Sequence, residues 1–89
     1  MTTCTHQDRI HREPIPEAER GNLACEDCLR EGTSWVHLRT CLVCGGTRCC
    51  DQSPRRHARR HFLSADHPII ASAEPGEPWR YCYIDDTEL

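Results

Sequence analysis

Cysteines and histidines are the residues of this sequence whose types and spacing could do chemistry. The 89 residues include 8 cysteines and 6 histidines. Their clearest motifs are Cys25-x2-Cys28, Cys41-x2-Cys44 and His57-x3-His61. A CxxC turn directs two thiolates at one ion, and histidines four residues apart project from the same face of a helix. The pattern predicts tetrahedral zinc sites.

A disulfide framework is the alternative for the same cysteines. Residues 1–24 contain no apolar run of about seven residues, so the sequence predicts neither a secretory signal nor an N-terminal membrane anchor. The expectation is therefore a cytoplasmic protein. Because the cytoplasm is reducing, clustered cysteines and histidines there bind metal more often than they form disulfides. This reasoning favours zinc.

The chain is short for a domain stabilised by hydrophobic burial alone. Hydrophobic residues make up 37% of it and aromatic residues 6%. A chain of this size buries only roughly 60% of its unfolded surface, so bound metal is expected to contribute to the folding free energy. The length excludes a large enzyme core, and the composition excludes a membrane span. The formal net charge of -3 argues against a dedicated nucleic-acid-binding protein.

The sequence also predicts the helix and strands that would position these ligands. Together they form a small α+β domain, with a twisted antiparallel sheet and one main helix. Ser53 as N-cap and Pro54 as first residue predict a helix that ends near Ser64. Strands are predicted over residues 35–43, 47–50, 69–72 and 79–84, with a turn at 74–78. We expect a single domain over residues 1–89, with residues 1–3 and 87–89 frayed.

The order and spacing of the motifs resemble a known family. The chain has a Cys-x-His pair, two CxxC pairs flanking Trp35, then Cys49, the histidine pair, an Asp-His-Pro triplet and an aromatic C-terminal segment. This order resembles the UBP-type zinc finger, the ubiquitin-binding finger of some ubiquitin-specific proteases and a cytoplasmic deacetylase. The WVHLR, CCD and EPGE segments are similar to the short stand-alone bacterial form of that family. The resemblance implies a binding module, not an enzyme.

The resemblance also implies which residues share an ion. In three-zinc members the ligands interleave, so that two histidines of one helix reach two different ions. Carried over by motif, the first set is Cys25, Cys28, Cys49 and His57, and the second set is Cys41, Cys44, His61 and His67. We expect Zn²⁺ at both sets, and a third Zn²⁺ if a further set is complete.

Residues from both ends of the chain would form that third set. The resemblance places Cys4 and His6 with C-terminal cysteines, but this sequence retains only Cys82 there. Cys50 could supply the missing thiolate, and Cys49 and Cys50 could exchange roles. If Cys50 does not take part, the third site is open, as a catalytic zinc site would be, or Cys50 is a free redox-active thiol.

A pocket for a partner protein follows from the same resemblance. Trp35, Tyr81 and Tyr83 are expected near it, with Trp79 beside them. Aromatic rings can flank a thin peptide backbone, and tyrosine hydroxyls can bond to peptide groups. Tyr83 and the pair Asp85 and Asp86 are expected at the rim of this pocket or in solvent. We therefore expect a monomeric protein- or peptide-interaction domain.

Ubiquitin is not the expected partner. Other members bind the free C-terminus of ubiquitin with an arginine, and this chain has Asp51 at that position. A carboxylate there repels the terminal carboxylate that an arginine would bind. Arg48, Arg55 and Arg80 are the candidates for a substitute.

A nucleic-acid-binding module is a second hypothesis for function. Arg55, Arg56, Arg59 and Arg60 lie on the predicted helix, and arginine suits phosphate recognition. The alternative for these arginines is a solvated helix face balanced by nearby acids.

Overall fold

An antiparallel sheet organises residues 6–89, the part of the protein that the computed structural model describes. Across this range five strands pair in the order β2-β1-β3-β4-β5, and each neighbouring pair is antiparallel. The elements are β1 (Leu38–Cys41), β2 (Thr47–Cys49), β3 (Ile69–Ser72), β4 (Arg80–Cys82), β5 (Thr87–Glu88), α1 (Glu26–Glu31) and α2 (His57–Ala65). Neither helix of the described range has the length and hydrophobicity needed to cross a bilayer. The predicted α+β class is confirmed.

One face of the sheet is covered by the segment that precedes α1, and we call it the N-terminal face. Side chains alternate along a strand, so Ile69 and Ala71 of β3 point to the same face, together with Cys82 of β4. Leu42 completes this buried cluster and Ile10 packs against it. The first residues of the described chain are thereby held against the sheet.

The opposite face carries α2, and we call it the helix face. The helix packs against β1 and β2. Its residues Ala58 and His61 lie close to Cys41 and Ile70 of the sheet. The β4 side of this face is less covered, and Tyr81 is half-buried there. A recess is therefore left beside α2.

Cysteines are three of the five residues of a second buried cluster. Its members are Cys25, Cys28, Leu38, Cys49 and Ala73, with Leu23 and Trp35 packed against them. All three cysteines have 0% of their surface exposed. Three buried cysteines this close together suit the ligands of one metal ion, which directs attention to metal binding.

The start of α2 differs from the prediction. Ser53 is not its N-cap, because the Ser53 hydroxyl accepts a hydrogen bond from the N–H of Val36 at 2.9 Å. That bond closes the loop after β2 onto the segment before β1. The helix begins at His57, whose N–H donates to the Cys49 sulfur at 3.2 Å. A sulfur of β2 thus satisfies a first-turn donor that a serine cap would otherwise satisfy.

The remaining differences concern short elements. β1 and β4 occupy only part of the predicted spans 35–43 and 79–84. α1 was not predicted; Cys25 caps it, and it ends at Gly32 in the left-handed conformation (φ 72°). Residues predicted to fray form β5, and the N–H of Leu89 bonds to the carbonyl of Arg80 at 3.0 Å.

Leucine substitutions test the position of the N-terminal face. Leu42 has 0% of its surface exposed, so Leu42→Ala should lower the free energy of unfolding by about 2–5 kcal/mol. Leu63 of α2 is 71% exposed, and Leu63→Ala should change it by less than about 0.5 kcal/mol. Chemical denaturation of the zinc-loaded variants measures both values. Equal effects would contradict the described packing.

Candidate metal centres

The first cluster of metal-binding side chains consists of Cys25, Cys28, Cys49 and His57. All three sulfurs lie 3.3–3.4 Å from Nδ1 of His57. The sulfurs of Cys28 and Cys49 are 3.8 Å apart. Four ligands around one zinc are separated by about 3.8 Å between sulfurs and about 3.5 Å between sulfur and nitrogen, given the usual bond lengths. The cluster fits a tetrahedral zinc site.

Two secondary-structure boundaries bring these ligands together. Cys25 is the N-cap of α1, and its sulfur accepts the N–H of Cys28 at 3.3 Å. Cys49 ends β2 and its sulfur accepts the N–H of His57, the first residue of α2. Both sulfurs thus accept backbone N–H groups at the start of a helix, which fixes their positions relative to each other.

Glu31 supports the first cluster from outside. Its carboxylate lies 3.0 Å from Nε2 of His57. The contact with His57 keeps the pKa of Glu31 below its usual value, so the carboxylate is ionised and accepts a hydrogen bond from Nε2–H. The lone pair of the imidazole is then on Nδ1, which faces the three sulfurs. A carboxylate in this role also makes a histidine ligand more basic.

The second cluster consists of Cys41, Cys44, His61 and His67. The Cys44 sulfur is 3.4 Å from Nε2 of His61, and the Cys41 sulfur is 3.7 Å from Nδ1 of His67. The two ring nitrogens are 3.0 Å apart. Two zinc-bound nitrogens are about 3.3 Å apart in a tetrahedral site, so this cluster also fits one ion. It is more exposed than the first cluster.

The turn after β1 presents Cys44 to the second cluster. Gly45 has φ 85°, a conformation that favours glycine, and its N–H bonds to the carbonyl of Cys41 at 2.8 Å. Burial opposes ionisation of Cys44, yet its pKa lies below the usual value because the Gly46 N–H, the Cys41 thiol and the Arg48 guanidinium face the sulfur. A Cβ on Gly46 would meet the Arg48 guanidinium, so any other residue there would have to displace that side chain.

Arg48 connects this turn to α1. Its Nε lies 3.0 Å from Asp27 and its Nη2 lies 2.9 Å from Glu26. Both acids stand between Cys25 and Cys28 in the chain. One arginine therefore joins the loop of the first cluster to the turn of the second.

A third cluster brings the two ends of the described chain together. His6 Nδ1 is 3.0 Å from Asp85 Oδ2, and the Cys82 sulfur lies 3.6 Å from the first atom and 3.7 Å from the second. Cys4, which was predicted to join His6, lies outside the described residues. Asp85 is the third member of this cluster, although its sequence position predicted the solvent-exposed rim.

The suggestion that Cys50 completes this third set requires correction. Cys82 points to the N-terminal face. Cys50 follows Cys49, whose side chain is on that same face, so Cys50 points to the helix face. Strands β1 and β3 also lie between β2 and β4. The Cys50 sulfur is instead 3.6 Å from the Ser53 hydroxyl.

The cysteines of the described range are free of disulfides: these are Cys25, Cys28, Cys41, Cys44, Cys49, Cys50 and Cys82. Separations of 3.8 Å between sulfurs exceed a disulfide bond of about 2.05 Å but suit ligands of one ion. The arrangement therefore agrees with the metal hypothesis rather than the disulfide alternative.

Three of the predicted partner-binding residues meet at a recess on the helix face, which we call the aromatic pocket. Trp79, Tyr81 and Tyr83 line it, and its volume is about 300 Å³. Trp35 lies elsewhere: it packs against the buried cluster that contains Cys25. The structure therefore separates Trp35 from the other three.

Two arginines of the aromatic pocket were not predicted to be there. Arg39 lies 4.5 Å above the ring of Trp79, and Arg59 lies 4.8 Å above the ring of Tyr83. Arg59 also forms an ion pair with Asp51 at 2.7 Å. Tyr83 is buried with 9% of its surface exposed, which corrects the expectation that it lies at the rim or in solvent. Burial raises its pKa well above the usual value, so its hydroxyl stays protonated. The pocket combines aromatic surface with paired charge.

The other arginines considered in the sequence analysis lie away from this pocket or are paired. Arg48 binds Glu26 and Asp27, as described above, and Arg55 pairs with Glu31 at 3.2 Å. A shallow basic groove on α2 is lined by Pro54, Arg55, Arg56, Arg59, Arg60 and Leu63. Two of its four arginines therefore have acidic partners.

Comparison with known proteins agrees with these clusters. Residues 25–89 match the family described as Zn-finger in ubiquitin-hydrolases and other protein. The chain belongs to this zinc-finger family. The match includes all eight residues of the first and second clusters and all residues that line the aromatic pocket.

Two relatives of this zinc finger illustrate its range. The solution NMR structure of protein RPA1320 from Rhodopseudomonas palustris is 42% identical, with a TM-score of 0.79, over 100% of this chain and 82% of that chain. The NAD-dependent deacetylase sir2A of Dictyostelium discoideum is 35% identical over 63 residues, which are 71% of this chain. The chain spans only 11% of the length of that deacetylase.

Histidine substitutions test the second cluster of the zinc finger. His61→Ala should remove one zinc ion per chain and abolish the native dispersion of the NMR spectrum, because it deletes a ligand and the link from α2 to the turn after β1. His37 belongs to none of the three clusters, so His37→Ala should retain both. Native mass spectrometry counts the ions. A His61→Ala protein with a full zinc content would show that this ligand set is wrong.

Glu31 provides a second test, at the first cluster. Glu31→Ala should lower zinc affinity by about 10- to 100-fold, since His57 loses the carboxylate that orients it. Glu19, which is exposed in a 3-10 turn, supplies the matched control Glu19→Ala. The imidazole NMR signals of His57, followed while a chelator is added, report this cluster alone. Identical chelator profiles for the two variants would remove Glu31 from the zinc site.

Proposed function

We propose that this zinc finger is a non-catalytic, monomeric interaction module of the cytoplasm. Zinc ions at the first and second clusters stabilise the fold, and the aromatic pocket binds a peptide segment of a partner protein. The observation that carries the proposal is the gathering of Trp79, Tyr81 and Tyr83 at one recess, on a sheet face that α2 covers only in part.

The donor sets support zinc in a structural role. Each of the two clusters offers four cysteine or histidine atoms, the number and type that structural zinc prefers. Protein atoms would fill all four positions, which leaves none for a catalytic water. Binding would supply folding free energy, because the ligands of each set come from distant parts of the chain.

The character of the aromatic pocket supports a peptide as its ligand. Tyrosine, tryptophan and arginine are the residues that most often dominate binding energy at protein interfaces. A volume of about 300 Å³ suits one or two residues of an extended segment. The tyrosine hydroxyls can bond to its peptide groups, while the rings contact its apolar atoms.

Charge at the aromatic pocket argues against the C-terminus of ubiquitin as that ligand. Asp51 already neutralises Arg59 at 2.7 Å. Arg39 stacks on Trp79 and lies 3.8 Å from Glu77. A terminal carboxylate would have to displace an internal one from Arg59 and would gain little from the exchange.

The alternative functions have weaker support. Nucleic-acid binding through the basic groove is opposed by the pairing of Arg55 and Arg59 with acids and by the net charge of -3. Thiol chemistry at Cys50 is opposed by its burial, because only 3% of the residue is exposed.

A random peptide library tests the pocket directly. Peptides selected on the wild-type zinc finger should bind Trp79→Ala or Tyr81→Ala at least about tenfold more weakly, since each removes a ring of the pocket. Leu63→Ala, outside this pocket, should bind them normally. Fluorescence anisotropy of labelled peptides gives the affinities. Peptides that bind all the variants equally would place the interaction elsewhere.

A titration with intact ubiquitin tests the proposal that ubiquitin does not bind the aromatic pocket. The indole N–H signal of Trp79 in a ¹⁵N-labelled sample should not shift when ubiquitin is added up to about 1 mM. Any binding would then have a free energy of about -4 kcal/mol or weaker. The indole of Trp35 serves as the internal control. A saturable shift of Trp79 that ubiquitin without its last two glycines fails to produce would show that the ubiquitin C-terminus does bind.

A further inference from the structure

The third cluster contains a carboxylate where a cysteine would be expected, and this substitution has a structural explanation. We infer that Asp85 is a metal ligand, and that it forms with His6 and Cys82 a site of mixed nitrogen, sulfur and oxygen donors. The site lies on the N-terminal face, apart from the aromatic pocket, so the inference is independent of the proposed function.

The mutual distances favour a shared ion over a simple ion pair. His6 and Asp85 alone would make a salt bridge at 3.0 Å. The Cys82 sulfur, however, lies at similar distances from both, 3.6 Å from the imidazole nitrogen and 3.7 Å from the carboxylate oxygen. Ligands of one zinc are separated by about 3.3–3.6 Å for these donor types. Three different donors thus converge as they do in the other two clusters.

The backbone around Asp85 resembles the turn of the second cluster. There, Cys41-x2-Cys44 is followed by Gly45 with a positive φ of 85°. Here, Cys82-x2-Asp85 is followed by Asp86 with a positive φ of 50°. Each motif begins on the last residue of a strand. The chain therefore repeats a metal-binding turn and replaces its second thiolate with a carboxylate.

Local structure holds the three donors in place. Ile69 pairs with Cys82 across β3 and β4, and Thr87 pairs with Cys82 across β4 and β5. The 83–86 turn between β4 and β5 returns Asp85 toward the sulfur. Cys82 has 0% of its surface exposed, and the His6 and Asp85 side chains have 20% and 27% exposed. The position is sheltered but reachable by an ion.

The donor set predicts which metal binds and how strongly. Thiolate and imidazole favour zinc or cobalt, whereas a carboxylate is a harder ligand that zinc also accepts. The first cluster has three thiolates and this site has one from the described residues. The third ion is therefore expected to leave before the other two when a chelator is added.

Conservative substitutions of neighbouring aspartates test the inference. Asp85→Asn keeps the shape of the side chain but removes its charge, and should reduce the zinc content from three ions to two. Asp86→Asn is the matched control, because asparagine tolerates a positive φ, and should retain three. Native mass spectrometry after gel filtration counts the ions, and NMR signals of His57 and His61 verify that the fold persists. Two ions in the wild type, or three in Asp85→Asn, would overturn the inference.

Asp85→Cys keeps the test decisive if Asp85→Asn unfolds. With cobalt in place of zinc, each thiolate ligand adds to the sulfur-to-metal charge-transfer absorption. If residue 85 is a ligand, Asp85→Cys should absorb more strongly than the wild type. It should also lose the third ion to a chelator more slowly. Unchanged absorption together with an unchanged rate of loss would show that residue 85 does not contact the metal.

Discussion

The convergence of cysteine and histidine donors from separate parts of the chain is the constraint on which this fold depends. The hydrophobic cluster of the N-terminal face contains few large side chains, and the second buried cluster consists largely of cysteines. Without a bound ion, burial raises the pKa of Cys25 to about 12, so its side chain would be a neutral thiol. An ion converts a weakly packed region into a rigid one. Helix α2 depends on this most, because His57 and His61, one turn apart, belong to different clusters.

The same sulfur atoms that bind metal also organise the backbone. Cys25 caps α1, and Cys49 accepts the N–H that begins α2. Arg48, paired with both acids of the Cys25–Cys28 loop, stands beside Cys44 of the second cluster. The two centres are consequently coupled through one strand, β2, and one arginine. Strands β1 and β2, of four and three residues, each end on a cysteine of a cluster, which helps to fix their positions.

The sequence allowed prediction of whatever depends on local spacing. The CxxC pairs and the i, i+4 histidines indicated zinc, and strand β3 was found over its full length. The start of α2 could not be predicted, because its cap is a sulfur from β2 rather than the local Ser53. The position of Cys50 required knowledge of which sheet face each residue of β2 occupies. Asp85 was detectable in principle, since Cys82-x2-Asp85 has the spacing of a CxxC pair, but a carboxylate in that spacing is common on any protein surface.

The metal clusters and the aromatic pocket are mechanically linked through α2. Arg59 lies between the two histidines of the helix and reaches both Asp51 and the ring of Tyr83. Phe62, the neighbour of His61, stacks on Tyr83 with ring centres 5.1 Å apart. Arg59 lines the pocket and Phe62 supports its residue Tyr83, so both contacts depend on how the neighbouring metal ligands position α2. A rotation of α2 that displaced His57 or His61 would also move Arg59 and Phe62. The shape of the pocket thus depends on ions that no bound peptide would touch.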